Sequence, residues 1–86
     1  MVRILKFETP GCGQCMMADK VLSKNDIIYD KVKCDTAEGE DYASIHNVRH
    51  APVVIVVNDD DKELLRLDNY GDIVKNVEEL KKYMYD

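Results

Sequence analysis

The chain has 86 residues, 45% of them hydrophobic and 34% charged, with a net charge of −5. That suffices for one small globular domain over residues 1–86 that buries a core without staples. The acidic balance, with no basic block, argues against nucleic acid and anionic membrane surfaces as main partners, and no apolar run approaches the roughly 20 residues that cross a bilayer. With no charged-then-apolar leader at the N-terminus, the expected location is the cytoplasm.

In chain order, Val2 to Phe7 reads as a strand with Leu5 and Phe7 on one face and Ile4 and Lys6 on the other. Thr9-Pro10-Gly11 is a loop. A helix is expected from Cys12 to about Lys24, with Cys15, Ala18 and Leu22 on one side and Met17 and Val21 flanking them. Asn25-Asp26 ends it, and Ile27 to Cys34 reads as a second strand with Ile28, Val32 and Cys34 on one face. Asp35 is then placed to cap a helix, with Glu38 three residues on as in a capping box; this helix runs to about Asn47, which tolerates a left-handed helix end. Val53 to Val57, five β-branched residues opened by Pro52, suit a strand buried on both faces. Asn58 to Asp61 turn into a short strand, Glu63 to Leu67. After a turn at Asn69-Tyr70-Gly71, Ile73, Val77, Leu80 and Met84 recur at helical spacing in a last helix from about Asp72 to Tyr85. The order βαβαββα predicts an α/β fold. Its first two strands, joined by a helix, are parallel; its last two, joined by a tight turn, form an antiparallel hairpin. The result is a four-stranded mixed sheet with helices on both faces.

The chemistry concentrates in Cys12-Gly13-Gln14-Cys15, at a junction from strand to helix. A thiol in the first helical turn meets backbone N–H groups without intrahelical partners and the positive end of the helix dipole. Both favour the thiolate, which is the nucleophile. A second thiol one turn on can resolve the mixed disulfide that the first forms. In a reducing compartment such a pair points to catalysis or metal binding before a structural disulfide. The blander readings are inert thiols or half of a zinc site; for the latter the further ligands would have to come from Cys34, His46 and His50, with no second CxxC. Cys34 itself fits a small hydrophobe on a strand, with a regulatory thiol as the sharper reading. Lys6 is expected to bury its stem and send its amine out to water, paired with Glu8, with stabilisation of a thiolate as the sharper role. His46 and His50 read as surface residues, His50 as one that borders a substrate groove in the sharper reading. Met16 offers either core packing or an apolar patch for a protein partner.

With these motifs in hand, the chain resembles the thioredoxin superfamily over nearly its full length, in the short form close to glutaredoxins. Two segments carry the resemblance: Cys12-Gly13-Gln14-Cys15 after an apolar strand, and Val48-Arg49-His50-Ala51-Pro52 before Val53-Val54-Ile55. The resemblance implies a dithiol–disulfide oxidoreductase with a redox-active disulfide between Cys12, the nucleophile, and Cys15, the resolving thiol. It also implies a cis Pro52 packed near Cys12, with Gly11, Gly13, Gln14, Ala51 and Pro52 lining the substrate site. There the backbone of Ala51 is free to pair with an extended substrate segment, as in strand addition.

The departures matter too. Gly11 and Gln14 stand where thioredoxins carry Trp and Pro, and the Cys-Pro-Tyr-Cys of glutaredoxins is absent. Phe7, Thr9, Pro10, Cys12, Gln14 and Cys15 together look like the redoxins that reduce ribonucleotide reductase and draw on thioredoxin reductase. Lys6 occupies the position of the carboxylate that thioredoxins bury, so that proton relay does not carry over. Tyr70-Gly71-Asp72 is a poor version of a glutathione-binding segment, and only Arg49 and Lys20 are at hand for the glutathione carboxylates. The expected partners are therefore protein disulfides and an external reductase, thioredoxin reductase before glutathione. The chain would act as a monomer and without a bound cofactor. The alternative is a redox-inactive module of the same fold kept for protein interaction or metal binding.

Overall fold

The computed structural model describes residues 1–85. Its elements are β1 (Arg3–Glu8), α1 (Gly13–Lys24), β2 (Asp30–Lys33), α2 (Ala37–Ile45), β3 (Val53–Val57), β4 (Glu63–Leu67), α3 (Tyr70–Lys75) and α4 (Val77–Tyr83). The four strands form one mixed sheet in the order β2-β1-β3-β4. β1 runs parallel to β2 and antiparallel to β3, with Phe7 opposite Val53, and β3 and β4 form the antiparallel hairpin.

The sheet separates two apolar layers, and strand alternation decides which side chain enters which. Ile4, Val54 and Val56 pack with Ala18, Leu22, Ile73, Val77 and Leu80 beneath α1, α3 and α4. Leu5, Phe7, Val53, Ile55 and Val57 face the other way, with Tyr42 and Ala43 of α2 packed against them. All five residues of β3 are buried because it is flanked by strands on both edges and covered on both faces.

Four local expectations are corrected. The second strand begins at Asp30 rather than Ile27, and Ile28 is exposed. Ile27 is instead a buried anchor whose N–H bonds to Leu22 at the end of α1, and pairing with β1 starts only at Asp30 opposite Leu5. Thr36, not Asp35, caps α2: its hydroxyl accepts from the Gly39 N–H at 3.0 Å. Tyr70 and Gly71 belong to a helix, because Asn69 caps α3 by accepting from the Asp72 N–H at 2.8 Å. The last helix is broken in two at Asn76, whose side-chain amide donates to the Asp72 carbonyl and competes with the backbone there.

Candidate functional site

β1 delivers the chain to the C-terminal end of the sheet, and Thr9-Pro10-Gly11 turns it into α1. Gly11 has φ +70, a conformation that side chains with a Cβ adopt at a cost. Cys12 is the N-cap of α1, in extended conformation, and its Sγ accepts from the Cys15 N–H at 3.0 Å. Cys12 is partly exposed, whereas Cys15 lies on the inner side of the helix at 3% exposure. The two are joined as a disulfide. Gly13 and Gln14 are exposed between them, and the space over Gly13 is open. Met16, next along the helix, is 62% exposed and so is not part of the core.

The second sequence motif arrives at the same end of the sheet. Val53 lies opposite Phe7, so Pro52 stands beside the end of β1, where the cysteine-bearing loop departs. The Ala51–Pro52 bond is cis; Pro52 is buried and Ala51 half-buried. The topology thus brings Gly11, Cys12, Gly13, Gln14, Cys15, Ala51 and Pro52 to one end of the molecule.

Lys6 departs from its expected role. It sends no amine to solvent: the side chain is completely buried, with β1 flanked by β2 and β3 and the cation facing α1. The expected pairing with Glu8 is present, at 2.6 Å, and Asp19 adds a second carboxylate at 2.9 Å. Asp19 follows Cys15 by one helical turn, so this ion cluster lies between β1 and α1 next to the buried thiol. Lys31 reaches Asp19 at 3.4 Å, and the Tyr29 hydroxyl donates to it at 2.8 Å. Burial would raise the Asp19 carboxyl, but the hydrogen bonds from Lys6 and Tyr29 and the charges of Lys6 and Lys31 outweigh it and hold the group below its ordinary value. The Tyr29 phenol is pushed up to about 12, by burial first and then by its bond to Asp19. Neither Asp19 nor Tyr29 belongs to a motif that the sequence displays. The one sequence signal for Asp19 is its place beside the apolar face formed by Cys15, Ala18 and Leu22.

His46 also departs from expectation. It is 4% exposed, stacked on Tyr42 with an edge toward Phe7, and its Nδ1 lies 3.2 Å from Glu63. Its Nε2 is buried without a hydrogen-bond partner. As the C-cap of α2 it is pressed onto the sheet by its own helix, a position that sequence polarity does not reveal. His50 is exposed, with Nε2 2.5 Å from the Asp68 carbonyl. Cys34 is a half-buried free thiol whose pKa is raised by burial. With Thr9, Arg49 and His50 it borders a groove of about 350 Å³. Among the described residues, no three His, Cys, Asp or Glu side chains are grouped to hold a metal ion, and no helix is long and apolar enough to cross a membrane.

Comparison with known proteins agrees with this geometry. A sequence model of the glutaredoxin family matches residues 4–61. Among solved structures, a thioredoxin from Thermus thermophilus superposes with a TM-score of 0.74 at 21% identity, covering 96% of this chain and 73% of that one. A mutant thioredoxin from Halobacterium salinarum gives 0.75 at 22% identity, covering 95% and 74%. The oxidised thioredoxin from Plasmodium falciparum gives 0.74 at 18% identity, covering 95% and 80%. The fold is therefore thioredoxin-like. A search of curated protein sequences gives no match. Family, fold and the Cys12–Cys15 pair together support a redox function.

Proposed function

The chain belongs to the glutaredoxin family, and from that premise we propose that it is a dithiol–disulfide oxidoreductase acting on protein disulfides. The observation that carries the reading is the asymmetry of the pair. Cys12 is partly exposed at a helix N-terminus with a backbone N–H aimed at its sulfur, and Cys15 is buried one turn behind it. The N–H and the helix dipole stabilise negative charge on Cys12, so it is the group that attacks from solvent.

The Cys12 thiolate attacks one sulfur of the substrate disulfide and the other leaves as a thiolate. Cys15 then gives up its proton and attacks Cys12 Sγ, breaking the mixed disulfide and releasing the second substrate thiolate. The substrate has gained two electrons and, from solvent and Cys15, two protons. The protein is left as the Cys12–Cys15 disulfide. Substrate backbone pairs with Ala51, beside Pro52, while Gly11, Gly13 and Gln14 form the open rim around Cys12. No bound cofactor takes part, because an external reductase restores the dithiol.

We assign that role to thioredoxin reductase in preference to glutathione, and the destination of the electrons to ribonucleotide reductase or a similar enzyme in the cytoplasm. Two features support the donor preference. The segment from Phe7 to Cys15 resembles redoxins fed by the flavoenzyme. Arg49, a candidate for a glutathione carboxylate, spends its Nε on Asn47 at 3.1 Å. The test is reduction of a protein disulfide with NADPH, supplied either with thioredoxin reductase or with glutathione and its reductase. Turnover with the first pair and little with the second is the expected result. Efficient turnover with glutathione alone would reverse the donor assignment, and none with either would overturn the oxidoreductase reading.

A further inference from the structure

The segment between α2 and Pro52 carries the backbone that a substrate would pair with, and β4 holds it from behind. Arg66, in that strand, donates from Nη1 to the His46 carbonyl at 2.7 Å and from Nη2 to the Asn47 carbonyl at 3.1 Å. These carbonyls end α2, where a helix leaves acceptors without intrahelical partners. Asn47 has φ 53 and turns the chain out of the helix toward Val48. The guanidinium is itself fixed, donating from Nε to Asp68 at 2.7 Å and lying 3.4 Å from Glu63. At the other end of the segment, His50 meets the Asp68 carbonyl. Residues 46–50 are thus tied at one end to Arg66 of β4 and at the other to Asp68, the residue that follows the strand. The planar guanidinium presents its donors in a fixed fork, so it bridges two backbone carbonyls while held from a third side with little ordering of its own.

We propose that Arg66 is a positioning residue for polypeptide substrates: it sets the segment that presents Ala51 and so favours protein disulfides over small ones. The proposal rests on the disulfide-reducing reading above. Strand addition draws its affinity from main-chain hydrogen bonds. If the receiving segment must be ordered on binding, that ordering opposes association residue by residue. A segment ordered beforehand by Arg66 avoids the cost. A disulfide without a peptide backbone gains nothing from it, and Arg66 bonds to neither cysteine.

The test compares two substrates in single turnover of the pre-reduced protein: insulin, and a small aromatic disulfide (dithiobis-nitrobenzoate). Arg66→Ala is expected to raise the half-saturating insulin concentration about tenfold, the scale of losing charge-assisted hydrogen bonds to backbone. The limiting rate and the small-disulfide rate stay at the parent values. Arg66→Lys keeps the charge without the fork and falls between. An unchanged half-saturation in the folded variant, or a small-disulfide rate that drops in proportion, overturns the proposal. Should Arg66→Ala not fold, Arg66→Lys is judged by the same two criteria. Failure of the oxidoreductase reading is distinguishable, since the parent protein would then reduce neither substrate.

Discussion

Replacing Lys6 by Met tests the ion cluster directly. Met fills a similar volume with an apolar chain, so the change isolates the charge. In the parent the ammonium is completely buried, while the Glu8 and Asp19 side chains it contacts keep 18% and 25% of their exposure. Removing one partner of a fully buried pair costs about 3–5 kcal/mol; here both carboxylates retain a path to water and Asp19 retains Lys31 and Tyr29, so roughly 2–3 kcal/mol is expected. For a chain of this length that corresponds to a fall in Tm of about 10–20 °C. Adding Glu8→Gln to Lys6→Met removes the carboxylate left without its cation and should recover about 1 kcal/mol, a non-additive result that identifies the pair. The assay is urea unfolding at neutral pH followed by far-ultraviolet circular dichroism. A pH series adds a second check. The folded-state pKa of Asp19 is depressed, so its contribution is present above the ordinary carboxylate value and is lost as pH falls through the folded value. The parent should therefore lose stability below about pH 4, and Lys6→Met should lose less over the same range. A Lys6→Met variant within about 0.5 kcal/mol of the parent, the range of ordinary surface substitutions, would refute the reasoning.

Cys12 of the reduced protein should be alkylated with an apparent pKa below the free-thiol value of about 8.5, as read from the pH dependence of iodoacetamide reaction; a Cys12 that titrates like a free thiol contradicts its assignment as nucleophile. Cys15→Ser should accumulate a mixed disulfide with a protein substrate through Cys12, visible by mass spectrometry, and should turn over far more slowly than the parent. Gly39→Ala should destabilise by about 1–3 kcal/mol in thermal unfolding, because a Cβ there collides with the Lys33 backbone carbonyl; helix propensity alone predicts a gain of about 1 kcal/mol, so the sign of the change decides between the two. Raising pH from about 10 toward 12 should remove a contribution that Tyr29→Phe lacks. The raised phenol pKa stabilises the fold fully below the ordinary value, and that stabilisation is lost as pH rises through the folded value.

Much of this protein is written in short stretches of chain. The two-residue spacing of Cys12 and Cys15 at a strand-to-helix junction, the β-branched run after Pro52 and the helical spacing of Ile73, Val77 and Leu80 each report on neighbours a few residues away. Such patterns give the order of the strands and of the first two helices, the parallel and antiparallel pairings and the end of the sheet where the thiols lie, but not the division of the last helix at Asn76. They leave the ends of elements uncertain by a few residues, as at Asp30, Thr36 and Asn69, and they are silent where partners come from separate elements. Lys6 looks like any strand lysine until α1 lays Asp19 over it, and His46 looks like any residue on an acidic helix until that helix presses it onto Phe7. Arg66 meets the end of α2 from 20 residues away, and Gly39 is committed by a carbonyl on β2. Burial, ion pairing and steric fit are properties of surfaces that form only when the sheet assembles in the order β2-β1-β3-β4. They are settled by tertiary packing, while local spacing by itself determines that Cys12 and Cys15 form a pair at the junction of β1 and α1.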